Sequence, residues 1–140
     1  MKYPRPFVRY VMSLVKYLQS EFYLREWDID VRFMPSPKDK NGDVAAAIKT
    51  DHTYFNATVY VYPRLLEWWK DPASRGTVKE AIVHEFCHIL TDPLYKIAID
   101  AVSNSGAEFL ETIREQQTQH ISNIIKDYIP NKIKPAHLGK

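Results

Sequence analysis

A chain of 140 residues with 45% apolar residues is long enough for one compact domain with a substantial core. A formal charge of +2 is too small for a dedicated nucleic-acid binder, and no stretch approaches the length of a membrane span. The one cysteine, Cys87, excludes an internal disulfide. Arg9, Ser13 and Lys16 break up any apolar run near the start, which leaves no signal-peptide pattern and points to a reducing cytoplasm.

The spacing of Phe7, Val8, Val11, Met12, Val15 and Leu18 predicts a helix over 6–20 laid on the core, with Arg5, Arg9 and Lys16 on its far face. Trp27, Ile29, Val31 and Phe33 alternate with Asp28, Asp30 and Arg32, which predicts a half-buried strand over 27–34. Residues 35–43 hold two prolines and an Asn-Gly pair and read as a loop. Further strands are expected over 44–49 and 54–62. The second of these puts Phe55, Ala57, Val59 and Val61 on one face and is ended by Pro63. A short helix over 65–70 closes at Asp71-Pro72.

Thr77 and Glu80 have capping-box spacing, which starts a helix there, and Pro93 is expected to stop it at about Thr91. A last helix is expected over 107–128, carrying Phe109, Leu110, Ile113, Ile121, Ile124, Ile125 and Tyr128. Beside that stripe run Glu111, Glu115, Thr118 and Ser122, mostly short or polar residues that would let this helix approach its predecessor closely. The strands segregate from most helices, so the expected class is α+β. A single domain spans 1–129, and 130–140 reads as a basic, loose tail.

The chemistry is concentrated in His84-Glu85-Phe86-Cys87-His88, an H-E-x-x-H pattern inside a predicted helix. Residues four apart share a helix face, so the two imidazoles can grip one metal ion. Glu85, one residue past the first His, can reach a water on the open side of that metal. A catalytic zinc takes three protein ligands. The Gly and His that a metzincin needs three and six residues after the second His are absent, because Thr91 and Leu94 stand there. Glutamates of the last helix remain: Glu108, Glu111 and Glu115.

On these residues the chain resembles gluzincin metallopeptidases. The stretch H-E-F-C-H-I-L-T-D, His84 to Asp92, is similar to that of thermolysin-like enzymes. The size and element order resemble minimal zincins and the small metallopeptidase-like proteins of phages. The resemblance implies a minimal zincin-like domain: an N-terminal helix, a small three-stranded sheet, the H-E-x-x-H helix and a C-terminal ligand helix. It implies Zn2+ as cofactor, His84, His88 and Glu115 as ligands and Glu85 as general base and acid. Glu115 is preferred because Thr118 and Ile121 follow it as in the phage-type pattern. Glu111 stays open as the alternative, since Glu115 would then take the place of the acid that orients the first His in thermolysin-like enzymes. With Glu115 as ligand that place falls to Gln119.

Asp92 reads either as a hydrogen-bond partner of a ligand histidine or as a helix-ending residue. Asn56-Ala57 resembles the Asn-Ala pair on the strand that borders the cleft in thermolysin-like enzymes. Cys87 reads as a small buried hydrophobe, His120 as a surface residue, His52 and His137 as solvated loop residues, and Trp68-Trp69 as packing. The expected function is zinc-dependent peptide-bond hydrolysis by a monomer acting on a protein or peptide substrate. No nucleic-acid or membrane partner is expected, and a phage-encoded chain would work in its host's cytoplasm. The competing reading is a non-catalytic metal-binding or interaction module on the same scaffold. Against it stands Glu85, which such a module has no need to keep.

Overall fold

The computed structural model describes residues 2–102 and 104–134, with residues 104 and 105 described by backbone alone. The elements run α1 (Arg5–Glu21), β1 (Asp28–Phe33), β2 (Ala46–Asp51), β3 (Asn56–Val61), α2 (Pro63–Lys70), α3 (Arg75–Asp100) and α4 (Asn104–Ile125), with a 3-10 turn at Lys126–Tyr128. The class is α+β, as the element pattern predicts.

The three strands form one mixed sheet in the order β1-β3-β2, with β3 parallel to β1 and antiparallel to β2. Ala57, Val59 and Val61 of β3 are buried, and Ile29, Val31, Phe33 and Ile48 pack partly buried against the core beside them. Phe7, Val11, Leu14 and Leu18 of α1 join that core, together with Val78, Ile82, Val83 and Phe86 of α3. Each such side chain contributes about 1.5–3 kcal/mol relative to exposure, so the core holds α3 firmly on the side opposite its histidines. The sheet's other face carries Asp28, Asp30, Arg32, Asn56 and Lys49 to solvent.

Four expectations need correction. First, β2 begins two residues later than the composition of 44–49 predicts. Second, Phe55 is not part of the third strand's inner face. It sits in the turn before β3 with φ 52°, half exposed. Its carbonyl accepts from Asp28 N at 2.9 Å, and its ring meets Trp27 at 5.7 Å. That bond, which opens the β1–β3 pairing, fixes a left-handed backbone that a Phe rarely adopts. Third, Asn56-Ala57 lies on the central strand, whose two edges are already taken by β1 and β2, so it borders no open cleft. Fourth, α2 begins at Pro63 and not at residue 65: the proline ends β3 as expected and also opens the helix, where its missing N–H costs nothing.

The largest departure is α3. No side chain caps its start, and it runs through Pro93 to Asp100 instead of stopping near Thr91. A proline inside a helix removes the N–H that would serve the carbonyl four residues back. Here that carbonyl belongs to Ile89, and His52 Nε2 donates to it at 2.9 Å. His52 is therefore half-buried, edge-on to Trp27 at 5.0 Å, and not a solvated loop residue. His137, with the rest of 135–140, lies outside the described residues. Nearer the core, Lys79 Nζ donates to Ile129 O at 2.9 Å and to Asn131 Oδ1 at 2.7 Å, which fastens the start of the basic C-terminal segment to α3.

His52→Ala is expected to destabilise the fold by about 1–3 kcal/mol, the cost of a buried carbonyl left without a donor. In a Pro93→Ala background, residue 93 regains an N–H for Ile89. The same His52→Ala change should then cost measurably less in urea unfolding. Equal costs in both backgrounds would disconnect His52 from the proline gap.

Candidate metal centre

His84, Glu85 and His88 lie in the middle of α3, one face of which is locked into the core by Val83, Phe86 and Cys87. The other face meets α4. The short residues on α4 do what their size predicts: Thr118 is 0% and Ser122 1% exposed, both closed against α3. Ser122 Oγ has no hydrogen-bond partner among the described residues. This close contact carries Glu115, one turn before Thr118, alongside the two histidines.

Glu115 Oε2 lies 3.4 Å from His84 Nε2, and its Oε1 lies 3.5 Å from His88 Nε2. One donor atom from each of the three residues falls within 4.8 Å of the others. The imidazole rings stand 5.1 Å apart at 80°. Two neutral imidazoles and one carboxylate converging on a point are a donor set for a divalent transition metal. Among the described residues this is the group of three that could hold one. Glu111 points elsewhere, since its carboxylate accepts from Arg114 NH1 at 3.0 Å. His120 is exposed on another face of α4, and Cys87 is buried, its thiol pushed up to about 12 by that burial.

The two histidines are supported unequally. His88 is 4% exposed, and its Nδ1 is 3.4 Å from both Asp92 Oδ1 and Thr118 Oγ1. Asp92 is not a helix-ending residue, because the helix continues past it. Its carboxylate is buried and held from three sides. Arg114 donates Nε to Oδ1 at 2.8 Å and NH2 to Oδ2 at 3.2 Å, and Thr50 of β2 donates to Oδ2 at 3.3 Å. Burial alone would raise this carboxyl, but the hydrogen bonds from His88 and Arg114 and the charges behind them hold it at about 2. An ionised Asp92 beside Nδ1 fixes the ring and leaves Nε2 as the donor atom toward Glu115.

His84 Nδ1, by contrast, is buried with no hydrogen bond among the described residues, although Gln119 lies close enough to favour its charged form. Burial and the neighbouring His88 outweigh Glu115 and Gln119, and the His84 imidazole is held below its ordinary value. It is thereby kept in the neutral form that a metal requires.

Glu85 lines a recess of about 380 Å³ together with His84, Gln119, Trp68 and the approach to β2 at Ala45 and Ala46. Burial, with Glu115 adding to it, pushes its carboxyl up to about 7 against the pull of His88, Lys38 and Arg114. Sequence reasoning found His84, Glu85, His88 and Glu115 and weighed Asp92. It missed Arg114 and Thr50. The signal for Arg114 was present: an arginine one turn before Thr118 and three residues after Glu111 belongs to the face that closes on α3.

With zinc as the probe, the wild type is expected to take up one ion per chain, and His88→Ala should lose most of it. Glu115→Ala should weaken the ion far more than Glu111→Ala. Asp92→Asn should cost about 10- to 100-fold, the range for a residue that orients a ligand. Competition with a chelator of known affinity ranks the variants. A larger effect at Glu111 than at Glu115 would reassign the third ligand.

No protein-family profile, no curated protein and no solved structure matches the chain, so the functional reading rests on the geometry of these residues.

Proposed function

We propose that the protein is a zinc-dependent metallopeptidase of the gluzincin kind, with His84, His88 and Glu115 as ligands and Glu85 as general base and acid. The observation that carries this reading is the position of Glu85. A half-buried carboxyl group sits one residue from a candidate ligand histidine and lines the same recess. The same two-histidine, one-carboxylate donor set also serves non-haem iron. A carboxylate poised beside it is what hydrolysis uses, and elemental analysis of the purified chain separates the two metals.

A bound zinc would supply Lewis acidity, lowering the pKa of a water and polarising the scissile carbonyl. The remaining steps belong to the chain. Glu85 takes the proton from the attacking water at its carboxylate and then gives it to the leaving amine. A carboxyl whose burial raises it toward neutrality suits both halves of that cycle. Asp92, locked by Arg114 and Thr50, keeps His88 oriented throughout. Val44, Ala45 and Ala46, at the approach to edge strand β2, line the recess beside His84 and Glu85. An extended peptide can add to the outer edge of β2 near Ala46, away from Thr50, whose carbonyl accepts from Lys96, and this favours a peptide or protein as substrate.

Glu85→Gln is expected to keep the fold and the zinc and to lower cleavage of a peptide library by about 10²- to 10⁴-fold, the usual contribution of a positioned base. Cleavage at an undiminished rate would remove Glu85 from the mechanism. A zinc-loaded wild type that cleaves no member of the library would favour a metal-binding module without catalysis.

A further inference from the structure

The start of α3 carries a second feature, away from the histidines. A recess of about 420 Å³ lies between this helix, α1 and the C-terminal segment, walled by Tyr10 and Trp69. Three cations line it: Arg75, Lys79 and Lys132. No acidic residue does, and among the described residues none of the three pairs with a carboxylate. Lys79 is the unusual member. It is 8% exposed, and among the described residues its ammonium donates only to two neutral oxygens, Ile129 O and Asn131 Oδ1. A buried ammonium ordinarily has a counter-charge. Here it has two further cations instead, in a chain that carries 17 acidic residues elsewhere.

Arg75 is held in place at the rim. Its Nε donates to Trp69 O at 2.9 Å, and its guanidinium lies 4.8 Å from the centroid of the Trp69 ring. Its terminal amino groups make no hydrogen bond among the described residues, and the side chain lines the recess. Gly76, next to it, also lines the recess, with open space where a Cβ would stand. The first turn of α3 has no acidic residue. We propose that this recess binds a small phosphate-type oxyanion, with Lys79 at its floor and Arg75 and Lys132 at its mouth. That the buried lysine has no counter-charge among the described residues is the observation that carries the assignment. The proposal does not depend on the metal centre or on the peptidase reading.

The probes are inorganic phosphate and glycerol phosphate, titrated by calorimetry into the full chain at low ionic strength, with backbone amide shifts followed by NMR. Saturable one-to-one binding is expected, with shifts centred on Arg75, Gly76 and Lys79, and it should weaken as sodium chloride is added. Arg75→Gln and Lys132→Gln should each weaken it roughly 10- to 100-fold, the worth of one charge-assisted hydrogen bond. Both side chains are exposed, so these variants keep the test valid even if Lys79→Met, which also cuts the tether to Ile129 and Asn131, fails to fold.

Binding should survive His88→Ala, and Lys49→Gln on the open sheet face should leave it unchanged. Tighter binding of glycerol phosphate would identify a phosphomonoester, and equal affinities would identify free phosphate. The proposal is overturned by absence of saturable binding, by shifts centred on His84 and Glu85, or by unchanged affinity in both Arg75→Gln and Lys132→Gln. A loss in Lys49→Gln equal to theirs would mean diffuse attraction and would also overturn it.

Discussion

One buried carboxylate, Asp92, joins three elements of this fold. It receives two hydrogen bonds from Arg114 on α4 and one from Thr50 on β2, and it faces His88 on its own helix. An ionised group at this depth is tolerated only when paired with good geometry, and losing one partner of such a pair typically costs about 3–5 kcal/mol. Two planar groups meeting in a fork also leave little freedom to slide. The α3–α4 register is therefore constrained. Arg114 and Glu115 are adjacent in the chain, so the register that seats Arg114 on Asp92 also brings Glu115 to the two imidazoles. The support of the site and its composition are one constraint.

This coupling explains which parts of the site could be read from the residues. The His84–His88 pair follows from helix spacing alone, and the burial of Thr118 and Ser122 follows from their size and their shared face. The strand pattern of 27–34 is legible because each inward residue has an outward charged neighbour. What escapes a linear reading is whatever a distant residue supplies. Pro93 should end a helix by every local rule. It does not, because His52, on a turn of the sheet, serves the carbonyl that the proline abandons. Likewise the Asn56-Ala57 pair looks like a cleft strand until the sheet order makes its strand central. A linear reading misplaces the start of β2 because the run Ala45-Ala46-Ala47, which straddles it, lacks the alternation that marks a strand.

α3 has a divided electrostatic character. Its first turn and the segment fastened to it are cationic, with Arg75, Lys79 and Lys132 grouped around a recess without acids. Its middle gathers imidazoles and carboxylates. The two regions are separated by little more than one helical turn, yet they open in different directions, since the residues lining the recess of Glu85 and those lining the recess of Lys79 do not overlap. One 26-residue helix can therefore present two chemically distinct surfaces while a single apolar face anchors it.

Cys87 sits between the two histidines in sequence, on the flank of the helix that turns into the core, fully enclosed, with its thiol shifted to about 12. A thiol in that state does not react with alkylating or disulfide reagents while the core is closed. Its modification therefore requires the helix to part from the sheet. As the one cysteine of the chain, it makes a built-in clock for that event. The rate at which a thiol reagent labels the native protein measures how often the core behind the histidines opens, and it needs no engineered probe.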